Sequence, residues 1–381
     1  MNIGIDARLL STPVRGVASY LANLIKYLPE HDKVNSYFVF QYEDIPQETK
    51  YYTYILIKKN RLPRQLFEHY WLNFSLPRLI KKHNIDVFFT PYIFVPLIKK
   101  DWKNVTVIPD ALTKSCKKYY SFHYRKYMDI FVPPSLKRSD AIITISESAK
   151  NDITKYYRIN SNIVHVNYLW ADAKFGHINL TEDQKSAIRK KFNLPEKYVL
   201  FVSVLEERKN IEGIIRVSDL IQSKGNNIKF VLVGREGFGF DKISSELGKR
   251  QNQIVHLKII NNEELILIYN LAEIFFFPSH YEGFGLPPLE AMKCGIPVIA
   301  SDNSSLPEVV GDGGTIGDAN DYDFFVGYII KLLSNKNYYI KMKQKALTQA
   351  EKFSAEKHIR ELIKVFNSFN IEKNEFQNQR N

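Results

Sequence analysis

Runs of four or five apolar residues alternate with longer segments whose apolar residues recur at helical spacing, and the alternation repeats along nearly the whole chain. Such a pattern predicts βα units and a parallel sheet covered on both faces. In the first half, 2–6, 37–41, 53–57, 86–89, 105–108, 141–144 and 163–166 read as strands; 15–28, 67–83 and 122–137 read as helices, and Ser146 caps another. In the second half, 198–202, 230–233, 254–257, 274–277 and 297–300 read as strands, and 181–192, 263–271, 289–294 and 355–369 as helices. The run over 198–202 is continuously apolar, which fits a strand buried on both faces.

One stretch, IFFFPSHYEGFGLPPLEAMKCGIPVIAS over 274–301, organises the rest. A short apolar strand stops at Pro278, and a loop with Gly283 and Gly285 follows. Pro287 and Pro288 stand where a helix can begin, because the first turn leaves its N–H groups unpaired anyway. Gly295 reads as the helix C-cap. Strand, glycine loop and helix N-terminus together make an anion site. Glu282 and Glu290 bracket the loop, and two carboxylates beside such a site suit a ligand that carries both phosphate and hydroxyls. An ordinary βα turn with two solvated glutamates has the same outline.

The 381 residues suit two domains better than one core. Residues 1–170 carry 25 Lys and Arg against 14 Asp and Glu, leaving 28 against 27 in the remainder. The basic excess therefore sits in the first half, where 58–64, 78–82 and 114–126 (KSCKKYYSFHYRK) mix cations with aromatics. That mixture suits an anionic membrane surface; a solvated basic face has the same composition, and nucleic acid is not expected as a partner. No apolar run is long enough to span a bilayer, and the N-terminus lacks a signal peptide's apolar core. Cys116 and Cys294 form neither a disulfide framework nor a metal cluster, so a cytoplasmic protein is expected, peripheral on the inner face of the cell membrane if the basic half binds there.

Glu282 and Glu290, eight residues apart around Glu-Gly-Phe-Gly-Leu-Pro, resemble the E-x7-E signature of glycosyltransferase family 4. Arg208-Lys209-Asn210 after the 198–202 strand is similar to the family's Arg-Lys-Asn, with Ser203 in a glycine's place. The resemblance implies the α/β GT-B fold: two doubly wound Rossmann-like domains facing across a cleft. It implies an acceptor domain over 1–170, a nucleotide-sugar domain over 171–354, a helix over 355–371 crossing back, and a disordered tail over 372–381.

It also implies roles. Arg208, Lys209 and the N–H groups of the Gly283-Phe284-Gly285-Leu286 loop hold the donor diphosphate, Glu290 the ribose hydroxyls and Glu282 the hydroxyls of the sugar. Gly16 lies at the turn that faces donor and acceptor. Asp110 keeps a carboxylate where relatives have His-Asp, but Pro109 replaces the His that touches the sugar near its C6 hydroxyl. Transfer then proceeds with retention, without cofactor or metal, from a nucleotide sugar to a glycan or lipid-linked glycan in bacterial surface polysaccharide synthesis. GDP-mannose is the first donor considered. A 6-deoxyhexose donor, rhamnose or fucose, is the alternative raised by Pro109. A GT-B epimerase or a non-catalytic nucleotide-sugar subunit stands behind both.

Overall fold

The computed structural model describes residues 1–11, 15–43, 51–58, 64–98 and 101–378. Of the basic stretch over 58–64, residues 59–63 lie outside that set. The chain divides into two compact units: Met1–Tyr168 with Ala355–Asn381, and Leu169–Ser354.

The first unit holds a seven-stranded parallel sheet: β1 (Asn2–Asp6), β2 (Ser36–Tyr42), β3 (Thr53–Ile57), β4 (Val87–Thr90), β5 (Lys103–Val107), β6 (Ala141–Thr144) and β7 (Val164–Val166). Its order is β3-β2-β1-β4-β5-β6-β7, with Ile3 level with Tyr37 on one side and Val87 on the other. Alternate residues of each strand serve opposite faces. Val87 and Phe89 join a core with Leu21, Leu24 and Leu28 of the helix Arg15–His31 and with Ile359, Leu362 and Phe366 of the last helix. Phe88 points into the other core, with Phe40, Trp71, Leu76, Val132 and Leu136. Because both faces are covered, the strands are mostly apolar, with buried polar exceptions such as Asp6, Asn104 and Thr106.

The second unit repeats the plan with β8 (Tyr198–Val202), β9 (Lys229–Val233), β10 (Ile254–Leu257), β11 (Ile274–Phe277), β12 (Val298–Ser301) and β13 (Gly314–Gly317), in the order β10-β9-β8-β11-β12-β13. All its pairings are parallel. Strand order reverses between β8 and β11, which pair through Ile274 with Val199 and Phe275 with Leu200. At such a reversal the connecting helices leave to opposite faces and open a crevice at the carboxyl ends of the two strands. The loops carrying Arg208-Lys209 and Glu282 leave those two ends.

Several elements differ from the sequence reading, among them the helices Ile211–Ser223 and Lys336–Ala350, for which no span was given. The helix expected over 67–83 is two helices, Arg64–Tyr70 and Leu76–Lys82, joined by a π-helical turn at Trp71–Ser75. Pro77 explains the break, since it has no N–H for the carbonyl four residues earlier and its ring crowds that turn. An edge strand, β13, was not foreseen. The last helix runs through Asn378 rather than ending at 371, and 372–378 of the expected disordered tail are helical; no Gly or Pro interrupts the sequence there.

Candidate active site

The loop after β11 is built inward. Ser279 is fully buried and Glu282 nearly so. Ser304 accepts the Glu282 N–H at 2.7 Å, and the Ser305 hydroxyl lies 3.0 Å from the Glu282 carbonyl and 2.6 Å from that of Phe284. Gly285 ends the loop at φ +114°, a dihedral that favours glycine, and a Cβ there would stand 2.9 Å from the end of the Leu306 side chain. The helix Leu286–Lys293 follows, with two prolines in its first turn. Pro287 and Pro288 have no N–H, and the Leu289 N–H already bonds the Gly285 carbonyl. The row of donors expected at this helix end is therefore thinned to Leu286 among the first three residues.

The loop after β8 meets it. Asn210, at φ +56°, caps the helix Ile211–Ser223 through the Gly213 N–H, while its Nδ2 donates to the carbonyls of Pro278 and Ala319 at 3.1 and 2.9 Å. The His280 N–H bonds the Arg208 carbonyl at 2.9 Å. Thus clamped, Lys209 Nζ lies 2.5 Å from Glu282 Oε1 and 5.3 Å from the Phe277 ring centre. Arg208 reaches Glu282 at 3.4 Å, the Tyr281 carbonyl at 2.6 Å and, through Nη2, Glu206 Oε1 at 2.5 Å.

Burial alone would push the Glu282 carboxyl up, but the charges of Lys209 and then Arg208 more than reverse this and hold it below the usual carboxylate range. For Lys209 burial dominates and lowers its pKa, with Glu282 opposing. Two cations thus face two carboxylates, and the cluster carries no net charge. The anion-attracting patch expected from Arg208-Lys209 is compensated in this state.

Glu290 lies one turn into the next helix. It accepts a 2.9 Å hydrogen bond from the Tyr269 hydroxyl, and burial pushes its pKa up to about 7 against that bond. Arg208, Lys209, Glu282, Gly283, Phe284, Gly285, Leu286 and Glu290 therefore all belong to the two loops and the helix at the β8/β11 reversal.

Asp110 and Gly16 belong to the other unit. Gly16 is in the first turn of the helix after β1. Asp110 follows β5, accepts the Leu112 N–H at 3.0 Å, and joins burial in raising the pKa values of Tyr124 and Tyr157. Pro109 offers its carbonyl to Thr144. Sequence reasoning missed Glu206, Tyr269, Asn210 as clamp, and the Ser304–Ser305 brace. Asn210 had a signal in its place after Arg-Lys, and Ser304–Ser305 in standing before Leu-Pro-Glu; Glu206 had none. Among the described residues no group of three or more His, Cys, Asp or Glu could hold a metal ion.

A doubly wound nucleotide-type unit with a carboxylate-cation loop pair at its strand reversal defines a group-transfer enzyme of the GT-B class. Residues 183–349 match the family described as Glycosyl transferases group 1, and residues 14–175 match Glycosyltransferase Family 4. The chain is 30% identical to the O-antigen chain mannosyltransferase B of Escherichia coli over 69% of each sequence, and 28% identical to the O-antigen chain mannosyltransferase RfbU of Salmonella typhimurium over 66% of this chain and 65% of that one. It spans about a third of the Escherichia coli serotype-specific mannosyltransferase WbdA, at 29% identity over 69% of this chain. Among solved structures it is similar to a sucrose-phosphate synthase from Thermosynechococcus elongatus (TM-score 0.73, 17% identity, 97% and 99% of the two chains) and to Anabaena HepE in complex with UDP and glucose (TM-score 0.69, 15%, 96% and 99%). The chain belongs to glycosyltransferase family 4 and is a glycosyltransferase.

Proposed function

We propose that the enzyme moves mannose from GDP-mannose, with retention, to a glycan or lipid-linked glycan during bacterial surface polysaccharide assembly. The observation that carries the reading is the buried Lys209–Glu282 pair, joined by Arg208, at the carboxyl ends of β8 and β11. In this reading Arg208 and Lys209 take the diphosphate, Glu282 accepts hydroxyls of the sugar, and Glu290, once ionised, accepts those of the ribose. The anomeric C–O bond breaks with its electron pair leaving on the diphosphate, a new bond forms to the acceptor oxygen, and the departing phosphate takes the acceptor's proton. The cations act most strongly on the fully developed phosphate charge, which lowers the barrier rather than merely binding substrate. No metal or cofactor is assigned a part.

Pro109 favours a second reading, transfer of a 6-deoxyhexose, because its ring offers nothing to a C6 hydroxyl. Melting the protein with GDP-mannose, GDP-fucose, dTDP-rhamnose and UDP-glucose separates the two. The largest rise is expected with GDP-mannose; a larger rise with GDP-fucose or dTDP-rhamnose supports the second reading.

A lipid-linked acceptor is supported by the surface of the helix Phe122–Lys137. Phe122 and Ile130 are 59% and 61% exposed, and with Lys126 and Pro134 they form one i, i+4 stripe beside exposed Lys117 and Lys118. Apolar side chains among cations on one exposed face suit anionic headgroups.

A further inference from the structure

Among the partners of Arg208 are the Tyr281 carbonyl, Glu282 and Glu206, and they are not equivalent. The Tyr281 carbonyl is part of the backbone, and Glu282 is buried between two cations with its N–H held by Ser304. Glu206 differs: its side chain is 22% exposed, and it meets Nη2 of the guanidinium at 2.5 Å. The backbone around it is fixed independently, by the bonds of Leu205 to Arg235 and Gly237 and by a bridge between Leu205 and Glu236. The carboxylate can therefore rotate out to water without moving the loop.

We infer that Glu206 is a displaceable counter-ion that holds Arg208 in place of the donor's diphosphate and competes with it. The inference rests on the diphosphate reading of Arg208. A guanidinium fork donates to a carboxylate or a phosphate oxygen with the same geometry, so exchanging one for the other never leaves the partly buried cation unpaired. Leaving Glu206 in place beside a bound diphosphate would set like charges against each other. Its return as the spent nucleoside diphosphate departs would assist product release. By this account Glu206 sets donor and product affinity through Arg208 and is a positioning residue that touches neither reacting atom.

Calorimetric titration of GDP, UDP, guanosine and uridine into the parent, Glu206→Gln, Glu206→Asp and Arg208→Ala tests this. Glu206→Gln should bind whichever diphosphate the parent binds about three- to tenfold more tightly. The gain should shrink with added salt, and the matching nucleoside should bind unchanged. Glu206→Asp, which restores the charge, should return towards the parent. Unchanged or weaker diphosphate binding by Glu206→Gln, in a variant that melts with the parent, overturns the inference. If Arg208→Ala also leaves diphosphate affinity untouched, the assignment of the site itself is wrong; if Arg208→Ala weakens it while Glu206→Gln does nothing, only the counter-ion role is lost.

Discussion

The Lys209–Glu282 pair makes the effect of mutation at this site depend on what is left behind. Lys209→Ala alone strands the Glu282 carboxylate in a buried place with a single cation 3.4 Å away, and such a loss costs about 3 kcal/mol of stability. Activity lost by that variant would confuse folding with chemistry. The double change Lys209→Met with Glu282→Gln removes both charges, so it should melt within a few degrees of the parent while turnover falls by roughly two orders of magnitude or more. Parent-like transfer by a normally melting double variant would remove both residues from the chemistry.

Glu290 gives the site a pH signature. Its native pKa of about 7 lies above the unfolded carboxylate value, so between the two the native state binds more protons than the unfolded chain. Stability from this group is fullest at low pH and is lost as pH rises towards and through 7. Nucleotide affinity should move the opposite way, rising through the same window as the ribose acceptor ionises. Glu290→Gln should flatten both trends, which melting and calorimetry between pH 5 and 8 would show; an unaltered affinity profile would count against the ribose role. Glu282 and Glu290 were visible in the sequence as a spaced pair. Their opposite protonation tendencies were not, because Glu290's comes from its burial in the folded unit and Glu282's from Lys209 and Arg208, far away along the chain.

At the scale of elements, the last helix is fastened by His358. Its Nδ1 lies 2.9 Å from the Tyr168 carbonyl, Nε2 lies 3.1 Å from the Tyr20 hydroxyl, and Asn167 Nδ2 donates to the His358 carbonyl at 3.1 Å. Burial lowers the imidazole pKa to about 4, so the native state binds fewer protons than the unfolded chain between that value and its ordinary 6.5. Stability from this contact is complete above pH 6.5 and lost as pH falls towards 4. Replacing His358 by Gln should lower stability at pH 7 and shrink the drop between pH 6.5 and 4; an unchanged slope in melts would contradict it.

The buried strands were legible because both faces demanded apolar residues: β11 (Ile274–Phe277) has the span expected from its sequence. β13, Gly-Thr-Ile-Gly, was not legible because an edge strand needs little apolar content. The π turn had a local signal in Pro77; the packing of Trp71 under Arg8, which lies 3.5 Å above its ring while pairing with Asp6 and Glu68, had none.

At the scale of the whole molecule, the two units divide the charge. The basic first half carries the exposed stripe through Phe122, Lys126 and Ile130, and the nearly neutral remainder carries the loops with Arg208, Lys209 and Glu282. Among the described residues no helix is long and apolar enough to cross a membrane. Vesicles containing phosphatidylglycerol should sediment the protein at low salt, and neutral phosphatidylcholine vesicles should not. Phe122→Ser with Ile130→Ser should reduce that binding at least severalfold without altering nucleotide affinity; equal sedimentation with both vesicle types, or none, would refute the surface. The two-domain division was legible from length and from the repeated strand-helix alternation. Which strands flank each reversal was not, since strand order is set by tertiary pairing alone.

Transfer from GDP-mannose to a mannosyl acceptor, followed by the NMR signal of the product's anomeric proton, tests the account most directly. One GDP released for each mannose transferred, with the donor's α configuration kept in the product, is the expected result. A β-linked product, or release of free mannose without transfer, would contradict it.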